Sequence, residues 1–351
     1  MSEENPIPAM AKRSRGPQVI ATVPVDGSVG DIKANPRTNR VYFVCDDACV
    51  GVLDGRTNKL LSYAKTGDGP AYLAINPRTN RIYVTNFRDG TVSVISGRTN
   101  RLITTVKVGQ RPFGIGVNPR TNRIYVANMS GSISVINGST NRIRKTIAVG
   151  GSPALLKINV RTNRIYVTNT GTDCLTVIDG KTQTILATRK TGKNPVITPG
   201  VNPGTNRIYV ASNSSRYLTV INGRTNRVMR RIPLKSLQSE VVVGARHNRI
   251  YVTSAQQQGP GKLFVIDGRS NRIMKILHVP TFASIFINPH TNHLFAGDTA
   301  GNRLYVFDGC TNKRIATLRT GRSAGNMALN PRTNRLFVGN SGSITVVRDW
   351  G

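Results

Sequence analysis

One hexapeptide constrains this chain more than any other feature. Asn-Pro-Arg-Thr-Asn-Arg, seen at 76–81, returns in eight near copies, and the Asn closing each turn falls at 39, 80, 122, 163, 206, 248, 292 and 334. The intervals are 41, 42, 41, 43, 42, 44 and 42 residues. A unit of that length cannot bury its own apolar face, so a fixed period of this size implies stacked copies in a propeller or solenoid. Within the second unit four short runs read as strands: 71–76 (AYLAIN), 81–86 (RIYVTN), 91–96 (TVSVIS) and 101–108 (RLITTVKV). All are rich in β-branched and aromatic residues and are bounded by Gly, Pro, Asn and Asp. Four antiparallel strands, A to D, in roughly 42 residues make one blade of a β-propeller.

The chain ends set the blade count. The last unit stops at SITVVRDWG (343–351), after strand C, with no room for strand D. The missing strand lies at the other terminus, where VIATVPV (19–25) matches LITTVKV (102–108) position for position. Pro24 within it fits an outer edge strand, where a lost N–H does least harm. The expected fold is all-β: an eight-bladed β-propeller of four-stranded antiparallel blades, closed by the N-terminal strand. Residues 1–17 are expected to be a flexible basic segment, and 18–351 a single propeller domain.

The IYVTN strand following a Pro-containing turn, and the Val-Gly-x-x-Pro that leads into it at Val108–Pro112 and Val149–Pro153, resemble the YVTN family of β-propeller repeats over about residues 19–347. The chain departs from that family's pattern in carrying Arg-Thr where Asp-Gly is common. The resemblance implies surface, binding or unassigned roles, with some related propellers acting as lyases or dehydrogenase subunits. Function does not follow from the fold.

Charge supplies the functional expectation. The chain holds 49 Lys and Arg against 16 Asp and Glu, a net charge of +33. In an antiparallel meander the A–B and C–D turns emerge on the same end of every blade, so both arginine-bearing turns face one way. The A–B turns carry Arg37, Arg40, Arg78, Arg81, Arg120, Arg123, Arg161, Arg164, Arg207, Arg246, Arg249, Arg332 and Arg335; the C–D turns carry Arg56, Arg98, Arg101, Arg224, Arg227, Arg269 and Arg272 among their basic residues. The carboxylates there, Asp54, Asp179, Asp267 and Asp308, lead their turns and suit Asx-type bonds to the backbone. One strongly basic face is expected to dock a polyanion, such as nucleic acid or another anionic polymer, or an acidic protein. Arginine suits phosphate because its planar fork donates two hydrogen bonds at once. Tyr83, Tyr125, Tyr166 and Tyr209 belong to a recurring strand and read as packing residues, so any nucleic-acid binding is expected to tolerate sequence. Two other readings stay open: a lyase- or dehydrogenase-like enzyme with a small-molecule site on the opposite loop face or in the central channel, and a protein-interaction scaffold with incidental arginines.

Little else in the sequence carries chemistry. Asp31, Asp68 and Glu240 lie at the opposite loops, but spacing alone does not pair them as acid and base. The longer loops at 191–200 and 254–261 break the symmetry and read as tolerated insertions. His247, His290 and His293, on adjacent turns, form a weak metal candidate; no metal or cofactor is expected. Cys45 and Cys49 are read as two ordinary thiols, with oxidation across a hairpin as the alternative. No secretory signal and no run of ~18 apolar residues is visible, so a soluble, cytoplasmic monomer is expected, with an extracellular location as the alternative.

Overall fold

Ile82, Tyr83 and Val84 on one strand and Val92 and Val94 on the next are all fully buried. Strands apolar on both faces need cover on both, and neighbouring blades supply it. The computed structural model describes residues 16–255, 261–279 and 284–350, which form eight antiparallel sheets in a ring. Blade 2 is representative, with strands Pro70–Asn76, Arg81–Asn86, Thr91–Ser96 and Leu102–Lys107 in that order across the sheet. These match the strands expected from the sequence to within a residue or two.

The innermost strand A of blades 1 to 8 runs over Ile32–Asn35, Pro70–Asn76, Pro112–Asn118, Pro153–Asn159, Gly200–Asn202, Leu237–Gly244, Ser284–Ile287 and Met327–Asn330. Eight apolar clusters fill the wedges between blades. In one, Tyr83, Val92, Val94 and Val106 of blade 2 pack on Ile124, Val126 and Ile136 of blade 3. Stability is therefore distributed over the blade-to-blade joints, as in other repeat proteins.

The ring closes as the termini require. Gln18–Ser28 pairs antiparallel with Arg335–Arg348, placing Val23 opposite Ile344. Arg335–Arg348 supplies both strands B and C of blade 8, bending at Gly342 (φ +73°). Val23 and Val25 then pack with Phe337 and Ile344 of their own blade and with Ile32, Val41 and Leu53 of blade 1. Residues 1–15, most of the expected N-terminal segment, and 256–260 of the loop at 254–261 lie outside the described residues. No helix among the described residues is long and apolar enough to cross a membrane.

One expectation is corrected. Cys45 and Cys49 form a disulfide, with their Cα atoms 5.3 Å apart. The B–C hairpin of blade 1 sets them directly opposite each other, at the last register position before a three-residue turn. Cys174 (buried) and Cys310 (exposed) are free.

Candidate functional site

The basic turns are built from the backbone outward. In each A–B turn the closing Asn takes the left-handed conformation, from φ 50° at Asn248 to φ 60° at Asn292. Asn tolerates this region better than most residues. The first Asn of the turn does two jobs: Asn35 Oδ1 accepts the Arg37 amide at 3.0 Å, while its Nδ2 donates to Asn80 Oδ1 of the next blade at 2.9 Å. The same bond joins Asn76 to Asn122, Asn118 to Asn163, Asn159 to Asn206, Asn202 to Asn248, Asn288 to Asn334 and Asn330 to Asn39. The chain of amides breaks once, where Gly244 stands in place of the first Asn.

The arginine that follows the left-handed Asn is a joint between blades. Arg40 Nη1 donates to the Gly97 carbonyl of blade 2 at 2.7 Å and to Asn100 Oδ1 at 2.8 Å. Arg81 reaches Gly138 O at 2.5 Å, Arg123 reaches Gly180 O at 2.6 Å, and Arg335 closes the circle on Gly55 O at 2.8 Å. Arg164, Arg207 and Arg249 bond likewise to Gly223, Gly268 and Gly309. The accepting residue is Gly because its own amide is drawn onto the left-handed Asn of its blade, as Gly138 N is onto Asn122 O at 2.9 Å. A Cβ on Gly138 would lie 2.3 Å from Asn122 Oδ1.

Blade 7 departs from this pattern for a physical reason. Blade 8 has no C–D turn to offer a Gly carbonyl, because its strand D comes from the other terminus. Asp349 takes that place: its amide donates to Asn334 O at 3.0 Å and its carboxylate accepts from Asn288 Nδ2 at 2.6 Å and Thr291 Oγ1 at 2.5 Å. The residue at the arginine position is His293, whose Nδ1 lies 2.7 Å from Asp349 Oδ1. The three candidate metal ligands therefore do not converge. His293 is turned to Asp349, the His247 ring lies against Cys310 Sγ (3.7 Å), and His290 offers its backbone carbonyl to Arg246. Among the described residues no group of three His, Cys, Asp or Glu side chains could hold a metal ion.

Seven of the arginines expected at a polyanion surface are thus half-buried and bonded to backbone carbonyls. The others are exposed. Arg37 and Arg246 also reach the neighbouring A–B turn, at Arg78 O and His290 O, both 2.7 Å, and Arg78, Arg161 and Arg332 make longer contacts of the same kind. Arg120 and the C–D residues Arg56, Arg98, Arg101, Arg224, Arg227, Arg269 and Arg272 are exposed, and their guanidinium groups make no hydrogen bond among the described residues. The carboxylates of this face form no ion pair with them among the described residues. Asp54 Oδ1 accepts the amides of Arg56 and Thr57, both at 2.8 Å, and Asp179, Asp267 and Asp308 repeat the arrangement. Partial burial pushes the Asp54 carboxyl up, but the Thr57 and Arg56 amides outweigh it and hold the group below the usual range. The expected Asx role of these residues is present in all four. The strand-B tyrosines are packing residues, as expected, each fully buried.

The opposite end behaves differently. Asp68 is exposed and pairs with Arg88 at 3.3 Å, whereas Asp31 and Glu240 both face the central channel, a cavity of about 1000 Å³ lined by all eight A strands. Val196, Ile197, Thr198 and Pro199 of the longer loop form part of its wall, so this insertion shapes the channel. Asp31 accepts the Leu73 amide at 3.0 Å and an ion pair from Lys33; Glu240 accepts the Ile285 amide at 2.7 Å. Burial pushes the Glu240 carboxyl up to about 7, against the hydrogen bonds from Ile285 and Ser284. Burial likewise pushes Tyr72, in edge-on contact with Phe113, up to about 12, helped by the charges of Asp31 and Glu240. Sequence reading missed Lys33 and Lys157. Both stand two residues before the Asn that ends strand A, opposite Tyr42 and Tyr166, and both line the channel.

With this geometry in hand, comparison with known proteins bears on the fold. The YNCE-like beta-propeller family matches residues 38–201, from the first A–B turn to the start of blade 5. No curated protein matches the chain. Among solved structures it is similar to Kuenenia stuttgartiensis hydrazine synthase (17% identity, TM-score 0.64, covering 93% of this chain and 97% of that one). It is also similar to the dihydro-heme d1 dehydrogenase NirN in complex with DHE (15%, 0.76, 86% and 68%) and to the computationally designed Ika8 protein (14%, 0.75, 94% and 99%). At such identities the likeness concerns the fold alone. The match over residues 38–201 and the eight sheets agree with the repeat read from the residues: the chain is an eight-bladed β-propeller, similar over that stretch to the YNCE-like family.

Proposed function

We propose that this protein is a non-catalytic binding scaffold whose turn face docks a polyanion, nucleic acid or another anionic polymer, without reading its sequence. The observation that supports this most directly is the set of exposed C–D arginines: among the described residues their guanidinium groups make no hydrogen bond, and the neighbouring carboxylates accept the amides of their own turns. Like charges held on one surface repel one another, and a polyanion relieves that repulsion while releasing its counterions. The half-buried arginines of the A–B turns add to the positive potential of the face although each already has a partner. No helix or ribbon among the described residues projects from the face to enter a groove, which favours contacts to phosphate or sulfate over contacts to base edges.

Fluorescence anisotropy with single-stranded DNA, duplex DNA and a sulfated polysaccharide, each at two salt concentrations, tests the proposal. The informative variant replaces Arg56, Arg98, Arg224 and Arg269 with Glu. Substituting Arg81 or Arg123 would also loosen a joint between blades. Binding should weaken steeply with salt in the wild type, and the duplex salt slope should fall by roughly 0.9 for each phosphate deprived of its arginine. Binding that is insensitive to salt, or unchanged in this variant, would refute the proposal.

A further inference from the structure

The channel carries a positive charge, on Lys157, with no ion partner among the described residues. Two residues apart along each inner strand, side chains on the same side form two layers in the lumen. The layer nearer the basic face holds Lys33 and Lys157, while its other six positions are Gly, Ala, Val or Phe. The layer above it is polar at six of its eight positions, Asp31, Tyr72, Thr198, Glu240, Ser284 and Asn326, the other two being Gly114 and Leu155. Lys33 is paired with Asp31, and Glu240 is capped by the Ile285 amide. Lys157 has no hydrogen-bond acceptor and no carboxylate partner among the described residues. Its side chain is open to the lumen yet ringed by protein. The ammonium thus presents an unpaired charge to the lumen, where an entering anion can accept a charge-assisted hydrogen bond.

We propose that the channel binds a small organic monocarboxylate, with its carboxylate on Lys157, its apolar body against the Val242 and Phe286 walls, and its polar substituents toward Thr198, Ser284 and Asn326. The cavity size suits a small-molecule site, mostly apolar with a few placed polar groups. Charge selects the class. Below pH 7, with Asp31 and Lys33 matched and Glu240 protonated, one positive charge remains, so a monoanion neutralises the site, whereas a phosphate dianion would leave excess negative charge beside Asp31. The inference is independent of polyanion docking, which involves the outer surface.

The pH dependence follows from every titratable group that lines the lumen: Asp31 and Lys33 of blade 1, Tyr72 of blade 2, Lys157 of blade 4 and Glu240 of blade 6. Burial and the nearby Lys33 charge hold the Lys157 ammonium below its ordinary range, and Glu240 gains its negative charge near pH 7. Both changes disfavour a bound anion as pH rises.

The probe is benzoate, measured by saturation-transfer NMR and calorimetry below and above pH 7, with benzyl alcohol and phenyl phosphate as comparison arms. Benzoate should bind the wild type, more tightly at the lower pH. Lys157→Gln should weaken it roughly ten- to hundredfold, the worth of a charge-assisted hydrogen bond, while Lys157→Arg retains it. Thermal melts confirm that both variants fold. Failure of benzoate to bind at millimolar concentration, equal binding of benzyl alcohol, tighter binding of phenyl phosphate, or unchanged affinity in Lys157→Gln each overturns the proposal. The four turn substitutions should leave benzoate binding intact, and Lys157→Gln should leave polyanion binding intact, so the two proposals fail separately.

Discussion

Arg40 offers a direct test of why arginine recurs in the turns. Its Nη1 donates to Gly97 O at 2.7 Å and Asn100 Oδ1 at 2.8 Å, across the joint between blades 1 and 2. Replacing it with Met keeps the aliphatic stem packed but removes the charged donor and leaves a half-buried carbonyl without its partner. A hydrogen bond to a charged group contributes about 2 kcal/mol. At ~2.1 cal/mol/K per residue, a chain of this length has an unfolding entropy of roughly 0.7 kcal/mol/K, so Tm should fall by about 3 °C. Arg40→Lys decides whether charge or geometry matters. Lysine carries the same charge on a tetrahedral head whose N–H directions differ from the planar pair that Arg40 Nη1 turns on its two acceptors, so it should recover less than half of the loss. Arg98→Met, at an exposed C–D position with no side-chain bond, should leave Tm within error and weaken polyanion binding instead. Scanning calorimetry of the three variants is sufficient. If Arg40→Met melts with the wild type, or Arg40→Lys is fully stable, the arginine does not act as a joint between blades.

Other consequences follow from particular groups. Glu240 has its carboxyl raised from 4.5 to about 7, so between those values the folded state holds more protons than the unfolded one and stability falls as pH rises, levelling above pH 7. Glu240→Gln should flatten that stretch of the Tm–pH curve and be the more stable protein at pH 8, by on the order of 3 kcal/mol at most; parallel curves would exclude the raised carboxyl. Reduction of Cys45–Cys49 opens a short loop and should cost roughly 2 kcal/mol. Alkylation of the unfolded, unreduced protein should then label Cys174 and Cys310 only; labelling at Cys45 or Cys49 would contradict the bond. His293→Ala leaves the buried Asp349 carboxylate without one of its hydrogen-bond partners and should destabilise the last joint by about 2 kcal/mol, read as a lower Tm and earlier proteolysis at the C-terminus; an unchanged melt would mean Asn288 and Thr291 alone satisfy that carboxylate.

The blades, their strands and the closure by 19–25 were legible because each rests on a pattern visible in the chain itself: short β-branched and aromatic runs, Asn at left-handed corners, and a strand missing at one end and surplus at the other. The partner of each joint arginine was not legible in the same way, since it lies in the next blade, 57 or more residues downstream for six of them and 280 residues upstream for Arg335. A signal did exist in the exception. Arg follows the left-handed Asn in seven units, each facing a C–D turn that carries Gly, and the one unit with His faces the one blade that lacks a C–D turn. A substitution that tracks the loss of a distant turn reports contact between the two. Asp31 and Asp68 show the opposite limit. Both sit in loops leading to strand A, yet one faces the channel and the other pairs on the surface with Arg88, a difference set by the strand's start and parity.

The joint between blades also changes what repetition can mean for function. Eight copies of a basic turn look like one surface selected as a whole, but an arginine that fastens each blade to the next would be retained in every copy even if the protein bound nothing. That account covers Arg40 and its six equivalents, which make the bond, and it explains the His at the eighth position. It does not cover the side chains of Arg56, Arg98, Arg224 and Arg269: the backbone carbonyls of these residues also accept from the joint arginines, but their guanidinium groups project into solvent. Any replacement with a good turn residue would serve the fold equally well at those four positions. The case for a polyanion therefore rests on the outer arginines, and a binding experiment that substitutes only the inner set would report on stability in place of recognition.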